Sequence, residues 1–457
     1  MSHAGDRSPS ADLGLLDATM IGIGAMIGAG IFVLTGLAAE TAGPAALLVF
    51  ALNGGVTLFT ALSYAELASA IPRNGGGYAY VRETFSGAVS FVMGWTRWFT
   101  YMAAGALYAL GFSSNFVEFV HLYVPSAPDL PIVYAFVVVV LFVALNALST
   151  EASGGAETVI TVLKVAILAV FVAFGVFAID TGEFTPAFPA DSGALAVLPA
   201  MGLTFIAFQG YDLIATVTEE VENPRRNIPR AIFLSLAATV VIYLLVVAVA
   251  IGTLGADELG AAGETAVAEA AAGFMPAVPL IGTGAALITF GAVFSTVSAL
   301  NAVIIGSSRV AFAMGREGQL PLRLGQLHPR FGTPFVAVLA SAVLMLLAVV
   351  LVPIRLVGNL ASLFSLLGFV VVNVAVIRLR RQKPDLSRPF SIPYYPVPPI
   401  LGILLNLLLG FFISPQTWAI AIGWLLFGAV VYAGWQRYDR PETSDKGERS
   451  PTTHPED

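Results

Sequence analysis

Residues 20–32, MIGIGAMIGAGIF, decide the fold because they place four glycines in an apolar stretch long enough to cross a bilayer. Each of Gly22, Gly24, Gly28 and Gly30 costs a helix interior about 1 kcal/mol relative to alanine. The pattern therefore predicts a helix broken in mid-membrane, where unpaired backbone groups are tolerated only against protein or a polar cavity. These groups could bind a ligand, or the glycines could serve helix packing through Gly24-x-x-x-Gly28.

The composition indicates an integral membrane protein whose first partner is the lipid bilayer. Of 457 residues, 57% are hydrophobic and 11% are charged, whereas soluble domains have about 25% charged residues. The absence of cysteine excludes disulfides and thiolate metal sites. All four histidines fall in tails or predicted loops, so we expect no metal and no cofactor. The net charge of −7 lies mostly in loops and tails, and no nucleic-acid partner is expected.

Apolar runs predict an all-α membrane domain over residues 15–436, with twelve transmembrane helices. All the lysines and arginines except Arg97, Lys164 and Arg355 fall on one side, which predicts a multi-pass plasma-membrane protein with both termini cytoplasmic. Residues 1–14 are then a cytoplasmic tail and residues 437–457 a disordered one. The predicted spans are 15–37, 43–70, 86–120, 131–149, 156–179, 196–217, 231–254, 281–313, 334–353, 357–378, 396–413 and 417–435.

A second interrupted span contains LTFIAFQGYDLIATVTEE, residues 203–220, with Gln209 and Gly210 in its middle. Two interrupted segments at corresponding places of two halves are typical of the binding site of a transporter built from inverted repeats. The sequence symmetry between the two halves is weak and does not by itself predict a repeat.

Four stretches in this order resemble the amino acid–polyamine–organocation superfamily, and the chain is similar to prokaryotic relatives of the cationic amino acid transporters. The resemblance implies a LeuT-type fold, with discontinuous helices 1 and 6. Its two inverted five-helix repeats would cover about 15–179 and 196–378, with two extra helices at about 396–435. The stretches are IGIGAMIGAGIF (21–32), SYAELASAIPRNGGGYAYV (63–81), FQGYDLIATVTEEVENPRRNIPRAI (208–232) and ALNAVIIGSSRVAFAMGREGQLP (299–321).

The resemblance also implies where a substrate amino acid would bind. Its carboxylate would accept hydrogen bonds from backbone N–H groups at the first break, where a half-helix N-terminus carries partial positive charge. Its ammonium would meet carbonyls there and in the second interrupted span. An aromatic lid would be supplied by Phe205 or Phe208, unless these are ordinary core residues. The implied substrate-binding residues are Met26, Gly28, Ala29, Gly30, Ile206, Ala207 and Gln209.

Lys164, in TVLKVAILAVFV of the fifth span, is the strongest candidate for proton coupling. An ionisable residue within a span is a functional hypothesis by default, and burial disfavours the charged ammonium. The resemblance implies the Gly24 carbonyl and Ser295 as its partners, at the place of the sodium ion in sodium-coupled proteins of this fold. A structural lysine paired with a nearby acid is the alternative.

The sequence thus predicts a secondary active amino acid transporter, not an enzyme, that is proton-coupled and works by alternating access. Neutral or cationic amino acids are expected as substrates, with protons as the coupled ion. An exchanger or uniporter without proton coupling and a non-transporting amino acid sensor remain alternatives. Arg97 and Asp212 could form a cytoplasmic gate pair or a static ion pair, or Arg97 could pair with Glu66.

Overall fold

The computed structural model describes residues 13–73, 75–85, 87–148, 154–277 and 282–438. Within these ranges the chain forms helices and one isolated bridge, between Leu13 and Val221. The predicted all-helical class is therefore confirmed. Almost all of the two predicted tails lies outside the described residues.

Eight segments of the described chain are long and apolar enough to cross a membrane, and two shorter helices are also apolar. Stretches of 3₁₀ helix follow α8 at Phe205–Phe208 and Tyr211–Glu220. The α-helices are α1 Leu15–Met26, α2 Ala29–Ala42, α3 Ala46–Ala70, α4 Gly76–Thr84, α5 Gly87–Tyr123, α6 Pro131–Leu148, α7 Gly154–Gly175, α8 Val197–Thr204, α9 Pro224–Leu254, α10 Ala256–Ala262, α11 Ala266–Phe274, α12 Gly284–Arg316, α13 Phe335–Leu351, α14 Ile354–Gln382, α15 Val397–Phe411 and α16 Pro415–Tyr438.

The first predicted break lies between α1 and α2. Ile27 (φ −76°, ψ 65°) and Gly28 (φ −100°, ψ −129°) leave the helical region, and α2 restarts at Ala29. The Gly28 N–H donates to the Met26 carbonyl at 2.8 Å, which closes a tight turn. The glycine-rich stretch thus divides one apolar segment into two half-helices, as the sequence predicts.

The second predicted break follows α8. Gln209 is extended and Gly210 has a φ of +148°, a value that side-chain-bearing residues rarely adopt. The chain then continues as the 3₁₀ segment Tyr211–Glu220, where the sequence suggested an ordinary helix. A Cβ on Gly210 would lie 2.6 Å from the Met26 nitrogen, so the two breaks are in direct contact.

The helices around the breaks fix their positions. α12 and α14 pack along α5, while α1 and α3 pack against α9. The segment that follows α9 contains α10 and α11. It lies on α2 at Gly36, where a Cβ would come within 2.0 Å of the Gly263 carbonyl oxygen. Only a glycine allows this close approach.

Candidate functional site

The start of α2 presents unpaired backbone donors at the first break. Ala29, Gly30 and Ile31 are the first residues of the half-helix, so their N–H groups have no acceptor one turn earlier in the same helix. All three residues are fully buried or nearly so. The N-terminal end of a helix dipole in a buried setting favours an anion.

Gly30 brings the two breaks together. A Cβ at this position would lie 2.7 Å from the Ala207 Cβ and 3.3 Å from the Tyr243 hydroxyl. The structure therefore places the predicted residues of the first break beside Ala207 of the second. Ile206, predicted to face the substrate, is buried, and its N–H donates to the Ser362 hydroxyl of α14 at 3.1 Å.

Tyr243 of α9 is a site residue that the sequence reasoning missed. Its hydroxyl lies 2.5 Å from the Met26 carbonyl oxygen and 3.0 Å from the Ala207 carbonyl oxygen, and the side chain is fully buried. A phenol has one hydrogen to donate, so it satisfies one of these carbonyls fully at a time. The available signal was a lone tyrosine in the apolar run VVIYLLVVAV, because a buried hydroxyl requires a partner.

A small cavity lies beside the breaks. Its volume is about 20 Å³, which suffices for about one water molecule. The breaks are thus closed around a space too small for an amino acid in this conformation. Of the predicted site residues, Gln209 lines the cavity, and its side-chain oxygen accepts a hydrogen bond from Ser365 at 2.9 Å. The lining residues, all uncharged, are Ala25, Tyr101, Tyr108, Gln209, Gly210, Leu213, Ala299, Ala302 and Val303.

Lys164 is fully buried between α7, α1 and α12. Its ammonium donates to the Gly24 carbonyl at 3.2 Å, which is the contact expected from the resemblance. It also contacts the hydroxyl of Ser298 at 3.2 Å. The family resemblance implied Ser295, which lies one turn earlier on α12, as the hydroxyl partner of the ammonium.

Ser295 instead supports the first break itself. Its hydroxyl lies 2.6 Å from the Ile27 carbonyl oxygen and 3.2 Å from the Gly28 carbonyl oxygen. The structure thus places Ser298 at the Lys164 ammonium and the Ser295 hydroxyl at the turn, and a role of Ser295 in proton coupling stays a prediction. The two serines face the same half-helix from α12, one at the lysine and one at the turn.

Arg97 of α5 and Asp212 form a buried ion pair. The second carboxylate oxygen of Asp212 accepts the Gly210 N–H at 3.0 Å, and Arg97 also donates to the Tyr101 hydroxyl at 3.1 Å. Tyr101 and Gly210 both line the cavity. A hydrogen-bonded chain of four residues therefore runs along one side of the cavity and ties α5 to the second break.

The alternative in which Arg97 pairs with Glu66 is wrong. Glu66 accepts two hydrogen bonds from Arg380 of α14, at 2.7 Å and 2.5 Å, and a third from the Ile392 N–H at 2.8 Å. Glu66 is buried at the end of α3 and has its own partners. The carboxylate available to Arg97 is that of Asp212.

The two phenylalanines considered as an aromatic lid are both buried in ring contacts. Phe205 packs against Phe369 with ring centroids 6.0 Å apart, and Phe208 packs against Phe50 and Tyr243. Their role as a lid stays a prediction. Within the described ranges, no group of three or more histidine, aspartate or glutamate side chains is placed to hold a metal ion.

Known transport proteins are similar to this chain over nearly its whole length. A family model described as amino acid permease matches residues 13–434. The chain is 33% identical to the branched-chain amino acid permease of Bacillus subtilis, over 95% of each chain. It is 30% identical to the methylthioribose transporter of the same species, over 94% of each chain. It is 29% identical to the serine/threonine exchanger of that species, over 88% of this chain and 90% of the relative.

Proposed function

The chain belongs to the amino acid permease family, and we propose that it carries amino acids across the plasma membrane by proton-coupled alternating access. The observation that carries the proposal is the contact between the two breaks, at Gly30 and Ala207. Where two interrupted helices meet, the N–H groups of a half-helix start can bind an anion, and the unwound carbonyls beside them can bind a cation.

The substrate carboxylate binds the N–H groups of Ala29 and Gly30 at the start of α2. The Gly28 N–H, which donates to the Met26 carbonyl in this conformation, joins them when the turn opens. The substrate ammonium binds the carbonyls of Met26 and Ala207. The Tyr243 hydroxyl now lies between these two carbonyls, and its rotation exposes them to the ligand. An ammonium has three donors, so it can satisfy both carbonyls at once, which one phenol cannot do.

Neutral side chains are favoured over charged ones because every side chain that lines the cavity is uncharged. The buried charges of Arg97 and Asp212, which are hydrogen-bonded to the cavity residues Tyr101 and Gly210, neutralise each other. The relatives are named for branched-chain amino acids, for serine and threonine, and for methylthioribose. A test panel therefore needs aliphatic and hydroxyl amino acids as well as the thiosugar.

Proton coupling is assigned to Lys164. Its buried ammonium lies on the Gly24 carbonyl, four residues before Gly28, so loss of its proton changes the charge beside the substrate site directly. A sodium ion is not required where a lysine ammonium already bridges α1 and α12.

The proposed architecture has twelve spans in two inverted repeats, 15–179 and 196–378, followed by an extra pair at 396–435, with both termini cytoplasmic. The moving bundle consists of spans 1, 2, 6 and 7. The spans are α1 with α2, α3, α5, α6, α7, α8 with its 3₁₀ segments, α9, α12, α13, α14, α15 and α16.

Uptake of radiolabelled substrates into proteoliposomes tests this function. The panel is measured with and without an inward proton gradient, in the absence of sodium. Gradient-stimulated uptake of a neutral amino acid supports proton symport. Uptake that needs a counter-substrate inside the vesicles supports exchange. Binding without any uptake supports the sensor and overturns transport.

A further inference from the structure

The short helix α4 connects α3 to α5 and lies beneath the second break. The first six residues of its sequence, GGYAYVRET, belong to one of the four stretches that carry the family resemblance, yet substrate binding leaves the helix without a role. Under the proposed orientation α4 is on the cytoplasmic side. Its two faces make contacts of different kinds.

The inner face of α4 is built from glycines. A Cβ on Gly76 would lie 3.1 Å from the Thr216 methyl group, and Gly76 has a φ of +52°. A Cβ on Gly77 would lie 2.5 Å from the Tyr64 hydroxyl of α3. These are close packing contacts of Gly76 with the 3₁₀ segment Tyr211–Glu220 and of Gly77 with α3.

The outer face of α4 is held by polar contacts. Arg82 pairs with Glu317, directly after α12, at 2.5 Å, and Glu83 pairs with Lys383, directly after α14, at 2.5 Å. The hydroxyl of Tyr78 donates to the Gln319 side chain at 3.0 Å. Both ion pairs are partly exposed, with 31–53% of each side chain accessible. The helix is therefore tied to the ends of α12 and α14.

These contacts place α4 across the boundary between the parts that move under alternating access. α3 and the segment Tyr211–Glu220 belong to the moving bundle of the proposed function, whereas α12 lies outside it. Relative motion must therefore break either the glycine contacts or the ion pairs.

We propose that α4 is a cytoplasmic latch, in which the ion pairs Arg82–Glu317 and Glu83–Lys383 hold the helix in place while its glycine face closes over the segment Tyr211–Glu220. This inference rests on the proposed function for the direction of motion. Opening toward the cytoplasm separates the segment from the glycine face, and weakening the ion pairs lets α4 itself lift. Each exposed ion pair contributes modestly, which suits a gate that must open repeatedly.

The chain lacks cysteine, so a single introduced thiol reports the latch directly. Ala215 is fully buried, and its carbonyl carbon lies 3.8 Å from a Cβ on Gly76. In Ala215→Cys protein, a membrane-impermeant maleimide is added to the cytoplasmic face and the labelling rate is measured. Arg82→Gln or Lys383→Gln should each raise the rate about two- to fivefold. Thr216→Cys is a second reporter should Ala215→Cys impair folding.

Charge exchange and salt provide the decisive comparisons. Arg82→Glu alone should accelerate labelling, and adding Glu317→Arg should restore the slow rate. Raising the salt concentration from about 0.05 M to about 0.5 M should accelerate labelling in the parent far more than in a protein lacking both pairs. The matched control is Arg381→Gln, an exposed arginine of α14 outside both pairs.

Labelling at the parent rate in both glutamine variants overturns the latch, as does an equal acceleration by Arg381→Gln. The assay needs no transport, so its failure is separate from that of the proposed function. Responsive labelling in a protein that takes up no substrate overturns transport and leaves the latch supported. Normal uptake together with labelling that does not respond to these substitutions overturns the latch and leaves transport supported.

Discussion

The guanidinium of Arg97 on α5 pairs with the carboxylate of Asp212 on the segment Tyr211–Glu220, and neither side chain is more than 5% exposed. This pair joins the hydrogen bond from the Gly210 N–H to the same carboxylate. Asp212 thus holds the unusual backbone conformation of Gly210, and Arg97 on α5 in turn holds Asp212. The second break depends on α5 for its shape.

Removing one partner of this pair should destabilise the protein strongly. Arg97→Gln or Asp212→Asn leaves an uncompensated buried charge, which costs about 3–5 kcal/mol. The double variant should be less destabilised than the sum of the two single variants, since it leaves no unpaired charge. Thermal unfolding in detergent measures this. The control is Arg355→Gln, which removes a half-exposed ion pair with Glu40 and should cost less than about 1 kcal/mol. Equal shifts for Arg97→Gln and Arg355→Gln would contradict the prediction.

Gly30→Ala should abolish uptake while leaving most of the protein folded. The added methyl group would lie 2.7 Å from the Ala207 Cβ and force the two breaks apart. Uptake and substrate binding are measured together with thermal unfolding. The matched control is Gly55→Ala, in the exposed middle of α3, where a Cβ meets nothing within 4 Å. This control should retain uptake and gain about 0.5–1 kcal/mol of stability, because alanine favours helix over glycine. Normal uptake by Gly30→Ala would separate substrate binding from the contact between the breaks.

Tyr243→Phe should lower the apparent KM more than it changes the maximal rate, because the substrate ammonium no longer has to displace a phenol from the two carbonyls. Without the hydroxyl, the Met26 and Ala207 carbonyls lose their shared donor in the closed site, at a cost of about 1–3 kcal/mol. Concentration dependence of uptake gives both constants. Tyr134→Phe is the control, because the Tyr134 hydroxyl donates to the Pro128 carbonyl in an exposed setting at 3.1 Å. If both variants behave as the parent, Tyr243 is only a packing residue.

Lys164→Ala should lose the stimulation of uptake by a proton gradient and retain substrate binding. The ammonium contacts Gly24 and Ser298, so its removal takes the titrating group away and leaves the backbone site at α2. Ser298→Ala should weaken gradient stimulation, whereas Ser295→Ala should mainly raise KM, because Ser295 contacts the carbonyls of the break. Uptake measured at several pH values and substrate concentrations distinguishes the two serine variants. Gradient stimulation that survives Lys164→Ala would assign coupling elsewhere.

The latch should be insensitive to pH between about 6 and 8. The hydrogen bond from Lys383 lowers the pKa of Glu83 below its usual range, with help from the charges of Arg73 and Arg82. A carboxylate whose pKa is lowered in the folded state keeps its contribution above the unfolded pKa and loses it as the pH falls through the lowered value. Labelling of Ala215→Cys protein should therefore accelerate only in acid. Acceleration near pH 7 would show that another titrating group controls α4.

The sequence was sufficient for features that depend on local backbone preference. Four glycines between residues 22 and 30 predicted the first break, and Gln209–Gly210 predicted the second. A charge within an apolar span singled out Lys164, and the expected Gly24 contact is present. The same reasoning left two possible partners for Arg97, Asp212 and Glu66. Helix periodicity does not determine how one helix is rotated relative to another, so it could not choose between them.

Tertiary structure decided the remaining contacts. Ser295 and Ser298 are three residues apart on α12 and share one helix face, so only the tilt and rotation of α12 against α1 determine which hydroxyl contacts the lysine. Tyr243 is distant in sequence from both breaks, and only the packing of α9 places its hydroxyl on Met26 and Ala207. The sequence by itself determined where the helices break, since glycine changes the local free energy of the backbone. Which groups complete the broken ends depends on helix packing, which sums many small contacts across the whole chain.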